Sequence, residues 1–257
     1  MAWSKFPYPD PAYTYTAASL KKAWGRLHAG DCEAFPKDAE LVNAWIAFHA
    51  GDFEKAAKLG LAQGMAGYSV ANKATAIHAN YLEKSEAKKL KFFEEVAARA
   101  EEQQEEQPKE AAGYYWHAYA LGRYAQGISI VKALSQGIGN KVKHSLDMTI
   151  KLAPKHADAH IGLGTYHAEI IDKVGAMIGG LTYGAKKDEG VKFFKKALTL
   201  NPDSAIARIE YANGLVMLEG KKKMDEAVKL YEEAAAFEAA DAMERLDVQM
   251  AIEELED

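Results

Sequence analysis

Apolar positions recur three and four residues apart through nearly all of the chain beyond Ala17, the spacing of helices that bury one face. Helices are predicted over 17–29, stopped by Gly30, and over 38–50, stopped by Gly51. A further pair is predicted over 68–82 and 85–106, the second with Leu90, Phe93, Val96 and Ala97 on one stripe. That helix runs into an acidic stretch over 101–107 before Pro108, read as a solvated helix end. No segment carries a credible strand pattern, and the whole yields about twelve helices.

The later helices repeat at 48 residues. Lys151-Leu152-Ala153-Pro154 precedes a helix carrying Gly162, Leu163, Gly164 and Tyr166. Thr199-Leu200-Asn201-Pro202 precedes another carrying Ile209, Tyr211, Ala212 and Asn213. The offsets agree, since 202 − 154 = 212 − 164 = 48. Ala120-Leu121-Gly122-Arg123-Tyr124 aligns with the first of the two. A fixed period of this size belongs to stacked helical hairpins. Small residues at Gly122, Gly164 and Ala212 let two backbones cross closely, and Asp203-Ser204 supplies an N-cap after Pro202. The expected fold is all-α, a tetratricopeptide-like helical-hairpin solenoid forming one domain over 1–257. Its expected parts are an extended arm over 1–16, degenerate hairpins over 17–107, clearer repeats over 108–240 and a capping helix over 241–257.

Pro7, Pro9 and Pro11 forbid a helix in the arm, and Trp3, Phe6, Tyr8, Tyr13 and Tyr15 are too many aromatics to leave in water. The arm is therefore expected to lie on the body of the protein. Behind it, Trp24-x3-His28-Ala29-Gly30-Asp31 recurs 21 residues on as Trp45-x3-His49-Ala50-Gly51-Asp52. Both histidines are expected near helix ends, where a cation favours the dipole.

Two hairpins are enlarged by glycine-rich apolar insertions over 126–141 and 171–187. Insertions at matching places in successive repeats project from one side of the stack, where binding faces are often built. The alternative is that the helices extend and the apolar loops cover each other.

Composition narrows the function. Apolar residues at 49% and charged residues at 27% are those of a globular chain. The net charge of −5 argues against a nucleic-acid footprint. No apolar run approaches the roughly 18–20 residues of a membrane span, and the N-terminus has no signal-peptide core. Cys32 is the single cysteine, so no internal disulfide framework exists. A cytoplasmic protein is expected.

No Ser/His/Asp arrangement, phosphate loop or dinucleotide fingerprint occurs, so an enzyme is not expected and no cofactor is implied. His156 and His160 have the i,i+4 spacing of metal ligands, but no glutamate completes an HExxH pattern. His160 and His167 are expected to be hydrogen-bonded core groups, and no metal is expected. The stronger constellation lies on one face of each first helix. It comprises Trp116, Tyr119, Arg123 and Gln126, then Asp158, Ile161, Thr165 and Glu169, then Ile209, Asn213 and Met217, with Met177 added from the second insertion. Arg123 and Glu169 are expected to face each other. Such a mixed aromatic and polar lining suits a peptide or an amphipathic small molecule; alternatively, these residues pack against the arm.

Trp116, Gly122, Gly127, the segment from Lys143-His144 to Pro154, His160-x3-Gly164 and Phe193-Phe194-Lys195-Lys196-Ala197 resemble the regulator-of-microtubule-dynamics family. Met177-Ile178-Gly179-Gly180 with the run from Glu189 to Leu198 is also similar to the T-component of tripartite ATP-independent periplasmic transporters. The resemblance covers roughly residues 110–240 and implies an all-helical, tetratricopeptide-like protein without established catalytic residues. The function expected is a scaffold that binds a partner protein or peptide in its concave groove. The alternative, implied by the T-component, is a binding protein with a small apolar ligand between the insertions. A second copy of the chain is a further candidate partner.

Overall fold

The computed structural model describes residues 3–256; the first two residues of the expected arm and the last of the expected capping helix lie outside them. Fourteen α-helices and three short 3-10 turns fill the described residues, with no strand among them. Their contacts gather into two compact units. One comprises the chain up to His28 with Cys32–Ser129 and Ala240–Met243. The other comprises Ala29–Asp31, Ile130–Ala239 and the chain from Glu244 onward.

The first unit holds α1 (Ala17–Leu27), α2 (Ala39–His49), α3 (Phe53–Ala62), α4 (Tyr68–Tyr81), α5 (Glu86–Glu106) and α6 (Ala111–Gln126). Side chains set the starts of these helices. Thr16 and Ser19 form a reciprocal capping box on α1, and the carboxylates of Asp38 and Asp52 accept first-turn N–H groups of α2 and α3. The arm is extended apart from a 3-10 turn over Pro11–Tyr13, and its aromatics are spent on the body. Trp3 stacks on His78 at 4.4 Å, Phe6 meets the edge of Phe53, and the buried Tyr13 lies beside Phe6.

The duplicated Trp-x3-His motif converges on one cluster. Trp24 stacks on His28 at 3.8 Å and meets Trp45 edge-on at 5.5 Å, while the Nε2 atoms of His28 and His49 lie 3.4 Å apart. His49 Nδ1 donates to Asp241 Oδ2 at 2.7 Å, and both residues are buried. Both histidines stand at helix ends, His49 closing α2 and His28 just beyond α1, and both are buried in the core there. A buried imidazole keeps its place when each nitrogen has a partner, which this chain of contacts provides for His49.

The second unit holds α7 (Ile130–Ser135), α8 (Ile138–Leu152), α9 (Ala157–Val174), α10 (Ala176–Tyr183), α11 (Lys187–Leu200), α12 (Ala205–Glu219), α13 (Met224–Ala235) and most of α14 (Ala242–Glu256). Here the 48-residue period becomes geometry. His156 caps α9 by accepting from Ala159 N, and Ser204 caps α12 by accepting from Ala207 N, at equivalent positions (204 − 156 = 48). Phe194 of α11 is fully buried, with Gly164 of α9 on one side and Gly214 of α12 on another. A methyl group at Gly164 would stand 2.7 Å from the Phe194 ring, so glycine is what lets α9 pack there. Tyr211 stacks on the same ring at 5.3 Å, and Ile161, Ala197 and Leu215 complete the core around it.

Gly122 differs from Gly164: nothing lies within 4 Å of where its Cβ would be, so no close crossing occurs there. The close approaches of α6 fall instead at Gly113, against Gln103, and beside it at Gly127, against Leu90. The two insertions are largely helical. The first contains α7 and the opening of α8, the second the end of α9 and all of α10.

Candidate partner-binding face

In the first unit the candidate residues form one stripe on α6, at spacings of three, four and three. Trp116 is buried, its ring edge-on to Tyr115 at 5.0 Å and to Tyr119 at 5.4 Å. Tyr119 is half-buried and carries the Arg123 guanidinium over its face at 5.5 Å. Arg123 in turn donates to Gln126 Oε1 at 3.2 Å, and Gln126 is exposed. The stripe thus grades from a core aromatic to a solvated amide.

In the second unit α9 and α12, the first helices of successive hairpins, are joined by a polar contact. Thr165 Oγ1 donates to Glu210 Oε2 at 3.0 Å. Asn213, three residues on from Glu210, accepts at Oδ1 from Tyr231 OH at 2.7 Å, and Met217, four further, is exposed. Glu169 pairs with Lys173 at 3.2 Å on α9. Thr165, Glu169, Glu210 and Asn213 are all half-buried, which leaves their polar ends within reach of solvent. Ile161 belongs to the core around Phe194 and Ile209 to a neighbouring core cluster, so neither is available for a partner. Met177 sits on α10, exposed at 79%, and is not part of the α9 and α12 face.

Glu210 is the residue that sequence reasoning missed. Its signal was available: it lies three residues before Asn213, on the same stripe of α12, and 48 residues after Gly162 in the aligned helix.

The histidines of α9 are occupied. His156 Nδ1 accepts from Ala159 N at 3.2 Å, His160 Nδ1 donates to the carbonyl of His156 at 3.0 Å, and His167 Nδ1 accepts from Lys186 N at 3.2 Å. Burial holds the pKa of both His160 and His167 below the ordinary imidazole value; for His167 the nearby Lys143 and Lys186 charges add to the lowering. No three groups among the described residues are disposed to hold a metal ion. A surface depression of about 430 Å³ between α2 and α3 is lined by residues such as Glu40, Asn43, Asp52 and Lys55, none of them among the candidates.

Paired antiparallel helices, a glycine-mediated crossing repeated around Phe194, and equivalent caps 48 residues apart define an all-α, tetratricopeptide-like helical-hairpin protein. The family model described as regulator of microtubule dynamics protein 1-3 matches residues 69–256, and the chain belongs to that family. Among solved structures, a thermophilic TPR protein from Thermus thermophilus superposes with a TM-score of 0.58 at 16% identity, over 83% of this chain and 97% of that one. That likeness concerns the fold. No curated protein sequence matches the chain significantly.

Proposed function

We propose that the chain is a non-enzymatic scaffold of the cytoplasm that binds a segment of a partner protein across the exposed faces of α9 and α12. The observation that carries this reading is the hydrogen bond from Thr165 to Glu210. It ties two successive first helices together and sets a carboxylate beside the amide of Asn213 on a half-exposed surface. Asn213 Oδ1 is engaged by Tyr231, which orients the amide and presents its NH₂ as a donor for a peptide carbonyl. With Glu169 paired to Lys173, Glu210 supplies the negative charge and Met217 an apolar contact, so a segment with a basic residue flanked by an apolar one is the complementary partner. The exposure of Met177, Ile178 and Leu181 gives no support to an enclosed apolar ligand beside them.

The test is selection of peptides from a displayed library on the full chain, followed by calorimetric titration against variants. Asn213→Ala and Glu210→Lys are each expected to weaken the selected peptides by roughly tenfold, with unchanged helical content. Selected peptides that bind both variants as tightly as the parent would overturn the reading. The family's description makes polymerised tubulin the first whole partner to offer, by co-pelleting with the same variants.

A further inference from the structure

We propose that the two insertion helices, α7 and α10, form a docking surface for an anionic lipid bilayer. Each presents a short apolar stripe to water. On α7 it is Ile130, Val131 and Leu134, exposed at 47%, 77% and 45%. On α10 it is Met177, Ile178 and Leu181, exposed at 79%, 55% and 85%. Both stripes follow the same i, i+1, i+4 spacing, which places three side chains on one side of a helix turn. None of the α7 side chains is buried, and on α10 only Gly179 is, where it rests on Ile170 of α9. Burial in the protein's own core therefore does not account for these six residues, and contiguous exposed apolar side chains mark an interaction surface.

The two helices share one end of the second unit. Gly139, in the first turn of α8 just after α7, lies under the Tyr183 ring at the end of α10, close enough that a methyl there would stand 3.3 Å from Tyr183 Cε1 and 3.6 Å from Ile170. Tyr166 OH donates to the Tyr183 carbonyl at 3.0 Å and fixes that end of α10 to α9.

Charge selects the occupant. Residues 130–144 contain Lys132, Lys141 and Lys143, and residues 173–187 contain Lys173, Lys186 and Lys187, with no Asp or Glu in either segment. Lys143 and Lys173 are ion-paired with Asp147 and Glu169, and Lys187 donates from Nζ to the Leu218 carbonyl; Lys132, Lys141 and Lys186 are exposed. In a chain of net charge −5, the first segment lies within an acid-free stretch over 111–146, while the second is bounded by Asp172 on one side and Asp188-Glu189 on the other. A second copy of the chain would bring like charge against like charge. Two short helices with exposed apolar side chains and lysines near them in the chain instead match the layered chemistry of an anionic membrane surface, acyl chains beneath phosphates. Lysine stems reach the headgroups while the apolar side chains enter the interface.

The experiment is vesicle co-pelleting of the full chain, using phosphatidylcholine with and without phosphatidylserine. The chain is expected to pellet with the serine-containing vesicles, to stay in solution with phosphatidylcholine alone, and to be released by raised salt. Met177→Ser with Leu181→Ser is expected to lower partition by roughly a hundredfold, about tenfold for each apolar side chain withdrawn. Lys141→Glu with Lys186→Glu is expected to abolish the preference for anionic vesicles. Val131→Ser with Leu134→Ser on α7 is an independent pair, expected to act in the same direction. The proposal is overturned if the parent does not pellet with anionic vesicles, or if the pellet survives all three pairs. It is also overturned if native mass spectrometry finds a dimer that the serine substitutions dissolve.

Discussion

Phe194 is the residue on which the second unit turns. It has no solvent exposure, and two glycines from two different helices are spent on making room for its ring. Phe194→Ala is expected to destabilise the chain by about 3–5 kcal/mol, because helices that cannot collapse leave a cavity; urea denaturation measures it, and a loss below about 1 kcal/mol would contradict the packing described. His78 makes the opposite kind of demand. It is fully buried, neither ring nitrogen has a partner, and Trp3 of the arm stacks over it. Burial holds its pKa below the 6.5 of free imidazole, as it does for His160 and His167. The unfolded chain therefore takes up these protons first as the pH falls. Stability is full above the unfolded value and drops as pH is lowered through it, so the urea midpoint is expected to fall between about pH 7 and about pH 5. His78→Leu removes an unsatisfied buried group, and is expected to raise the midpoint at neutral pH and flatten the fall. A steeper pH dependence in that variant would count against the assignment.

At the scale of elements, helices with a buried stripe were legible and those without one were not. The stripe of α5 and the cap of α12 are local signals: the helix predicted over 85–106 is Glu86–Glu106, and Ser204 of the predicted cap accepts from Ala207 N. α7 and α10 carry no core-facing stripe, so nothing periodic separates them from apolar loops in the sequence. The crossing at Gly122 was misjudged for a related reason: a small residue permits close approach but does not require it. Contacts that join distant parts of the chain were beyond reach. The duplicated motif announced His28 and His49, but Asp241, 192 residues from His49, has no local signal that it completes the buried pair. In the candidate face, the stripe on α6 was legible from its three- and four-residue spacing, whereas Ile161 faces the core because Phe194 and Tyr211 fill the space beside it. One consequence is dynamic. With almost no buried side chains, α7 and α10 are expected to show the fastest amide exchange of the second unit's helices, and α9 and α12 the slowest. Exchange of α10 as slow as that of α12 would contradict this.

For the molecule as a whole, the family and the fold agree on a helical-hairpin protein. Among the described residues no helix is long and apolar enough to cross a membrane. Surface chemistry is divided between faces of the second unit. Acidic and amide groups gather on α9 and α12, while the lysines nearest α7 lie in the acid-free stretch 111–146 of the chain. The proposed peptide and membrane surfaces lie on different helices, and the two are expected to bind together without competition. Amide exchange of the full chain, read by mass spectrometry with and without a selected peptide, tests the central claim most directly. Slowed exchange along the exposed turns of α9 and α12, around Thr165 and Asn213, is the result this account predicts. Protection confined to α7 and α10, or to the first unit, would contradict it.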